Sequence, residues 1–139
     1  MKSNIKAFTI FTVALLTISS FSFANNNIGE AANEEKVINK AREAVESASP
    51  DDWYTYAKAA KSCFAKKVNL KEAAEWIDQS IEIKETAFNL EIKGDYYAMN
   101  RLPRKALEYY TKAAQVGKSE DFNFDTSGLQ KKIAKITGI

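Results

Sequence analysis

Paired carboxylates are the residues of this chain whose type and spacing could support chemistry. Two acids three or four residues apart share a helix face, where one carboxyl group can act as an acid and its neighbour as a base. Examples of such pairs are Glu72 and Glu75, Glu82 and Glu85, and Glu91 and Asp95. Because charged pairs at this spacing are also the ordinary surface of a solvated helix, the pairs by themselves do not predict catalysis.

The residue types that usually accompany catalytic carboxylates are missing from the sequence. The chain contains no histidine, which excludes histidine-based acid–base catalysis, Ser-His and Cys-His nucleophiles, and histidine-containing metal sites. It also lacks a glycine-rich phosphate loop, a nucleophile elbow and a metal-ligand cluster. We therefore predict a protein that is not an enzyme and that has no catalytic residues, no metal site and no cofactor.

Cys63 is the one cysteine, so an intramolecular disulfide is excluded. A lone thiol in an exported protein can instead pair with another chain. Cys63 lies in a helical run of small residues, Ala59-Ala60-Lys61-Ser62-Cys63-Phe64-Ala65, which favours a buried side chain that behaves as a small apolar group.

The first 24 residues have the layout of a cleaved secretory signal. Two lysines precede a largely apolar, uncharged run from Ala7, and Ser22-Phe23-Ala24 places small residues before a break at Asn25. The apolar run is short and diluted by Thr and Ser, which argues against a membrane anchor. We expect an exported protein, periplasmic or secreted, with no stable membrane insertion after cleavage.

The charge that remains after cleavage is balanced. The whole chain has 20 basic and 18 acidic residues, and loss of Lys2 and Lys6 with the signal leaves 18 of each. A neutral protein without a basic stripe argues against a nucleic-acid partner and against an anionic membrane surface. The remaining length suits one domain with a single modest core.

The elements that must position these residues are helices. A polar leader over residues 25–30 precedes an apolar stripe with helical period from about Ala31 to Ala48. Pro50, followed by two acids, predicts the start of a second helix, and Asn69 with Glu72 predicts the start of a third. Pro103 predicts the start of a later helix, and Gly117 predicts its end.

An internal repeat predicts where the long run after Lys71 divides into two helices. A shift of 33 residues brings Phe64 onto Tyr97, Ala73 onto Ala106, and Trp76 onto Tyr109. The same shift predicts a helix break near Glu85-Thr86. The unit that repeats is therefore a pair of helices.

The residues of this repeat identify a family resemblance. Five small and aromatic residues follow the order of the tetratricopeptide repeat, a 34-residue two-helix motif. They are Gly94, Tyr97, Ala106, Tyr110 and Ala113. The segment 87–119 resembles one such repeat, and 54–86 resembles a degenerate one in which Lys61 replaces the glycine and Ser80 the last small residue. The usual late proline is absent from both.

The resemblance implies an all-α fold of tandem antiparallel helix hairpins, a short α-solenoid of about two repeats. One domain would cover residues 31–137, with an N-terminal helix before the repeats and a capping helix over about 127–137. In the later hairpin Ala98 and Ala106 would be the points of close approach, and Tyr97 and Tyr110 would fill the space beside them. A tight helix contact would also explain Gly94, which lowers helix propensity. The three lysines of the capping helix would face solvent.

The resemblance also implies where a partner would bind. Tetratricopeptide arrays bind peptides or proteins in a groove lined by the first helix of each repeat. Carried over by position, the groove residues are Thr55, Lys58, Ser62, Ala65 and Lys66 from the earlier repeat and Phe88, Glu91, Asp95, Ala98 and Met99 from the later one.

Two sets of these positions share a helix face and would form opposite walls. Lys58, Ser62 and Lys66 would form a basic wall, and Glu91, Asp95 and Met99 a largely acidic one. Such a groove suits an extended peptide of mixed charge. The alternative is that these residues pair across the groove and only solvate it. A clamp for a C-terminal carboxylate, known in the family, is disfavoured because Ser62 stands where that clamp has asparagine.

The function that we expect is therefore binding of an unidentified protein or peptide by an adaptor or scaffold outside the cytoplasm. The alternative is a homo-oligomer, in which the module assembles through its repeat ends or through outer aromatic residues. Trp76 and Tyr109, at equivalent positions of the second helices, are the candidates for that aromatic surface, unless they pack against the next hairpin.

Overall fold

The computed structural model describes residues 21–138 of the chain, and the side chains from Gly29 onward. The described residues form six helices and no strand, which confirms the predicted all-α class. In chain order the helices are α1 Phe21–Glu46, α2 Trp53–Lys66, α3 Leu70–Ile83, α4 Ala87–Met99, α5 Pro103–Glu120 and α6 Ser127–Thr137.

The break predicted near Glu85-Thr86 is confirmed. Helix α3 ends at Ile83, and Thr86 caps α4 in a capping box, in which Thr86 and Asn89 each accept a hydrogen bond from the other's backbone N–H. The buried amide of Asn89 also donates to the carbonyl oxygen of Lys84 at 2.7 Å and to Ser80 Oγ at 3.0 Å. The break is stable because each of these polar groups, although buried, has a partner.

Two helix boundaries differ from those that local signals predict. Helix α2 begins at Trp53 rather than at Pro50, because Asp52 is the N-cap and accepts hydrogen bonds from the backbone N–H and the hydroxyl of Thr55. Helix α5 continues through Gly117 to Glu120. Gly117 is buried, and a Cβ there would collide with the Phe124 ring, so this glycine permits close packing of the loop after α5.

Helix α1 is described from Phe21 onward, so the segment predicted as a polar leader, residues 25–30, is helical. No proline or capping motif interrupts the chain there, and the helix continues through Gly29. The predicted signal lies outside the described residues except for the backbone of its last four residues. No described helix combines the length and apolar character needed to cross a membrane.

The helices pack as two pairs, α2 with α3 and α4 with α5, flanked by α1 on α2 and α6 on α5. Two core clusters of buried residues lie within this arrangement, and Ile92 of α4 belongs to the first of them. The first is centred on Ala57, Ala60, Cys63, Ala73 and Ile77, and the second on Leu90, Ala106, Tyr110, Ala113 and Leu129. Ile81 of α3 packs against both clusters and so joins the two pairs.

The close approach predicted within the later pair is present. A Cβ on Gly94 would lie 2.5 Å from two carbons of the Tyr110 ring, and Ala106 is completely buried. Real Cβ atoms do not approach a ring this closely, so glycine is required for Tyr110 to fill this space.

Two ion pairs join α3 to other helices. Arg42 of α1 bonds to Glu72 of α3 at 2.8 Å, which holds α1 beside the first pair of helices. Lys93 of α4, only 4% exposed, bonds to Asp78 of α3 at 2.6 Å and lies over the Tyr96 and Tyr97 rings. The stem of Lys93 thus packs in the protein while its charge reaches a carboxylate near solvent.

Candidate functional site

An open groove of about 580 Å³ lies between α1 and α2, and we call it the α1–α2 groove. Its floor consists of small and apolar side chains, which are Val37, Ala41 and Ala44 from α1 and Ala59 and Ala65 from α2. Lysines border it on both helices, at Lys40, Lys58 and Lys66. An apolar floor bordered by charges of one sign is an arrangement suited to binding another chain.

All three lysines of this groove are exposed, and none forms an ion pair with another described residue. Lys58 Nζ lies 5.8 Å from the centroid of the Tyr54 ring, which is a weak contact for an exposed cation. The groove therefore has a positive charge that no acid of the described chain neutralises by direct contact.

The predicted basic residues come together on α2 as their spacing requires. Lys58, Ser62 and Lys66 follow one another by one helical turn and all line the α1–α2 groove. The Ser62 hydroxyl donates a hydrogen bond to the carbonyl oxygen of Lys58 at 2.9 Å, within its own helix. Of these three residues, Lys58 and Lys66 are therefore the ones whose charge is available to a ligand.

The predicted acidic residues have a partner from another helix. Lys132 of α6 bonds to Glu91 Oε1 at 2.7 Å and to both carboxylate oxygens of Asp95 at 2.7 Å. The Tyr110 hydroxyl also donates to Asp95 at 2.7 Å. The prediction that Lys132 faces solvent is wrong, because α6 packs with this residue directed at α4.

Burial and charge shift two pKa values in this cluster. Burial raises the pKa of Tyr110 far above its ordinary value, and its hydrogen bond to Asp95 raises it further. Burial alone would lower the pKa of Lys132, but the hydrogen bonds to Asp95 and Glu91 outweigh it and raise that pKa. Lys132 therefore remains charged and holds α6 against α4.

Met99, the third residue of the predicted acidic wall, is half-buried against the first core cluster. The structure thus groups the predicted residues in two places. Lys58, Ser62 and Lys66 face the space beside α1, whereas Glu91 and Asp95 are bound by α6. The two sets are not joined by an ion pair between described residues.

The two predicted outer aromatic residues are half-buried. Trp76 packs against the first core cluster, and Tyr109 packs against the second, with its ring centroid 5.2 Å from that of Tyr97. Burial raises the pKa of Tyr109. More exposed apolar groups lie elsewhere, notably Phe122 in the loop after α5, whose surface is 87% exposed.

Comparison with protein-family models, with curated proteins and with solved structures found no match. The resemblance to tetratricopeptide repeats therefore stays a prediction from the residues that carry it. What the described residues do establish is an all-α fold with a lysine-bordered groove at α1 and α2.

Two observations on the described residues concern metal binding and the reactivity of Cys63. Between residues 21 and 138, no group of three or more Cys, Asp or Glu side chains is arranged to hold a metal ion. Cys63 is completely buried, and burial raises the pKa of its thiol, so the reactive thiolate is disfavoured. The interpretation of Cys63 as a buried apolar group is confirmed.

Sequence reasoning did not anticipate that α1 forms one side of the groove. The apolar stripe of α1 includes Val37, Ala41 and Ala44, and this stripe indicates that the helix packs on another element. It does not indicate which one. Lys40 lies next to this stripe in the sequence, and it was the one further indication that lysines could border a groove at α1.

Proposed function

We propose that this protein is a non-catalytic adaptor or scaffold that binds a protein or peptide outside the cytoplasm. The observation that carries the proposal is the open α1–α2 groove. Six residues of α2 line it, and five of them are the groove positions that the resemblance implies for the earlier repeat: Thr55, Lys58, Ser62, Ala65 and Lys66.

The proposal includes a fold of tetratricopeptide-like hairpins, one formed by α2 and α3 and one by α4 and α5. Three observations support it. The paired helices pack on each other, the break between the pairs is where the repeat predicts it, and Tyr110 packs on Gly94. Helices α1 and α6 then flank the two hairpins.

The charge of the groove narrows the chemistry of the partner. Lys132 already neutralises Glu91 and Asp95, whereas the lysines of the α1–α2 groove have no acidic partner among the described residues. A segment with acidic residues and small apolar side chains complements this surface better than one of mixed charge.

The test is capture of a partner from the extracytoplasmic fraction by wild-type protein and by a Lys58→Glu/Lys66→Glu variant. We expect the variant to lose the captured protein, because two attractive charges become repulsive. The control is Lys131→Glu/Lys135→Glu, which makes the same charge change on the exposed side of α6. Equal capture by all three proteins would contradict the proposal.

The alternative function is a self-associating structural module. The half-buried positions of Trp76 and Tyr109 leave less ring area for a second copy than full exposure would. One observation favours self-association through a different surface. The described side chains in the first half of α1, residues 29–36, are all exposed.

A further inference from the structure

The first half of α1 projects beyond the helices on which its second half packs. Every residue from Gly29 to Lys36 is exposed, whereas Ala41 is buried and Val37, Ala44 and Val45 are partly buried. Counted from Asn25, the first residue after the predicted signal, α1 has 22 residues and α2 has 14, so α1 is about 12 Å longer. An exposed helical extension of this length obtains no stability from packing in the monomer.

The projecting half is acidic on the face that continues the groove. Glu30, Glu34, Val37, Ala41 and Ala44 follow one another by four, three, four and three residues. This is the spacing through which two helices pair along a seam. The N-terminal part of the seam therefore has two acids, and its C-terminal part is the apolar floor of the α1–α2 groove.

We infer that the α1–α2 groove binds the projecting half of α1 from a second copy of this chain, in an antiparallel and two-fold symmetric dimer. The acidic half of each α1 lies in the lysine-bordered groove of the other copy. A two-fold axis near Val37 places Glu34 of the second copy opposite Ala41 and Glu30 opposite Ala44. Each contact then occurs twice, as such symmetry requires.

The lysines of the groove lie on the side where these acids arrive. Lys40 precedes Ala41 on α1, and α2 returns along α1 after the short connection over residues 47–52. Lys58, five residues into α2, therefore lies at about the level of Ala41. The small side chains of Ala41, Ala44 and Ala59 let a third helix approach the first two closely.

Charge distinguishes this occupant from another helix of a second copy. The exposed side of α6 carries Lys131 and Lys135, so α6 would bring like charge to the lysines of the groove. The first half of α1 brings the opposite charge. The dimer does not depend on the adaptor function, although it would cover the same groove and compete with an acidic partner.

Two charge-reversal variants test the dimer. Glu30→Lys/Glu34→Lys makes α1 basic beside a basic groove, and Lys40→Glu/Lys58→Glu makes the groove acidic beside an acidic α1. Protein in the form that cells produce is analysed by light scattering over a dilution series. We expect a dimer for the wild type and, for each variant alone, a dissociation constant raised about tenfold or more.

Mixing the two variants separates charge pairing from damage to the fold. Both interfaces of the mixed dimer again join an acidic with a basic surface, so the mixture should recover the dimer. The control Glu108→Lys/Glu120→Lys changes two exposed acids on α5 and should leave the dimer intact. A strictly monomeric wild type, or a dimer that neither variant weakens, overturns the inference and leaves the groove to a different protein.

These variants also keep the two proposals distinguishable. Glu30→Lys/Glu34→Lys should weaken the dimer, and it should leave capture of an acidic partner intact because it does not alter Lys58 or Lys66. Loss of the dimer with retained capture supports both proposals, and a dimer without any captured protein supports this inference alone.

Discussion

Tyr110 connects two structural roles in one side chain. Its ring is 2% exposed and packs directly on Gly94 of α4. Its hydroxyl donates a hydrogen bond to Asp95, which follows Gly94 in α4. The ring therefore joins α5 to α4, and the hydroxyl helps to orient the carboxylate that Lys132 binds. A residue with contacts on both sides cannot move to relieve a clash without loss of one of them.

Substitution of Gly94 by alanine should therefore destabilise the protein. The added Cβ would overlap the Tyr110 ring, and overpacking costs about 1–3 kcal/mol, against a gain of about 1 kcal/mol in helix propensity. We expect a net decrease in the free energy of unfolding, measured by urea denaturation. Gly29→Ala is the matched control, since nothing lies within 4 Å of its Cβ. A Gly94→Ala protein more stable than the wild type would disprove the packing role.

Helix α6 is held to the rest of the molecule by a small apolar surface and by Lys132. Leu129 is buried in the second core cluster, with Ile133 and Ile136 packed against it. Lys132 adds the ion pairs to Glu91 and Asp95. Since α6 has only 11 residues, these contacts, rather than its own helical propensity, keep it folded.

The docking of α6 should weaken at alkaline pH. The pKa of Lys132 is raised above its ordinary 10.5 in the folded protein, so its contribution is complete below that pH and is lost as pH rises through the raised value. The raised pKa of Tyr110 acts in the same direction. We expect amide exchange in α6 to become faster than the base-catalysed rise of the intrinsic rate accounts for, measured as a fall in protection factors.

Replacement of Lys132 by methionine should produce the faster exchange already at neutral pH. The substitution leaves Glu91 and Asp95 side by side without a cation, at a cost of about 1 kcal/mol. Lys135→Met is the control, because Lys135 is exposed and has no ion pair with a described residue. Unchanged protection of α6 in Lys132→Met would show that the apolar contacts alone hold this helix.

The described molecule behaves as one unit because its two core clusters are not confined to one helix pair each, since buried Ile92 of α4 belongs to the first. Ile81 packs against both, and the ion pair between Lys93 and Asp78 crosses the same boundary. Each helix pair buries too little surface to be stable without the other, so we expect a single cooperative unfolding transition.

Ile81→Ala should destabilise the protein by about 2 kcal/mol and weaken the coupling of the two pairs. Trp53 and Trp76 both lie in the first pair, so tryptophan fluorescence follows that pair while far-UV circular dichroism follows all helices. The two signals should coincide in the wild type and separate in the variant. Ile83→Ala is the control, a half-buried isoleucine of the same helix that belongs to neither cluster. Coincident transitions in Ile81→Ala would mean that other contacts couple the pairs.

Local sequence signals predicted a helix boundary correctly where neighbouring residues alone determine it. They failed where a contact with another residue or a competing cap determines it. Pro103 begins α5, as a proline at the first helical position should. Gly117 does not end that helix. Its lack of a side chain makes room for the Phe124 ring, which packs directly on it. Pro50 does not begin α2, because Asp52 provides a better cap.

The sequence by itself determined that this protein is all-α, that its helices break near Glu85-Thr86, and that Gly94 and Tyr110 belong to one helix contact. Each of these follows from periodicity or from residue size, which act over short distances along the chain. Only the tertiary structure decided which charged side chains have an ion-pair partner among the described residues. Lys132 lies 37 residues from Asp95 in the chain, and α1 rather than α4 lies beside Lys58 and Lys66. The spacing of residues within one helix specifies the face that they share, whereas the acid or base opposite that face depends on how separate helices pack.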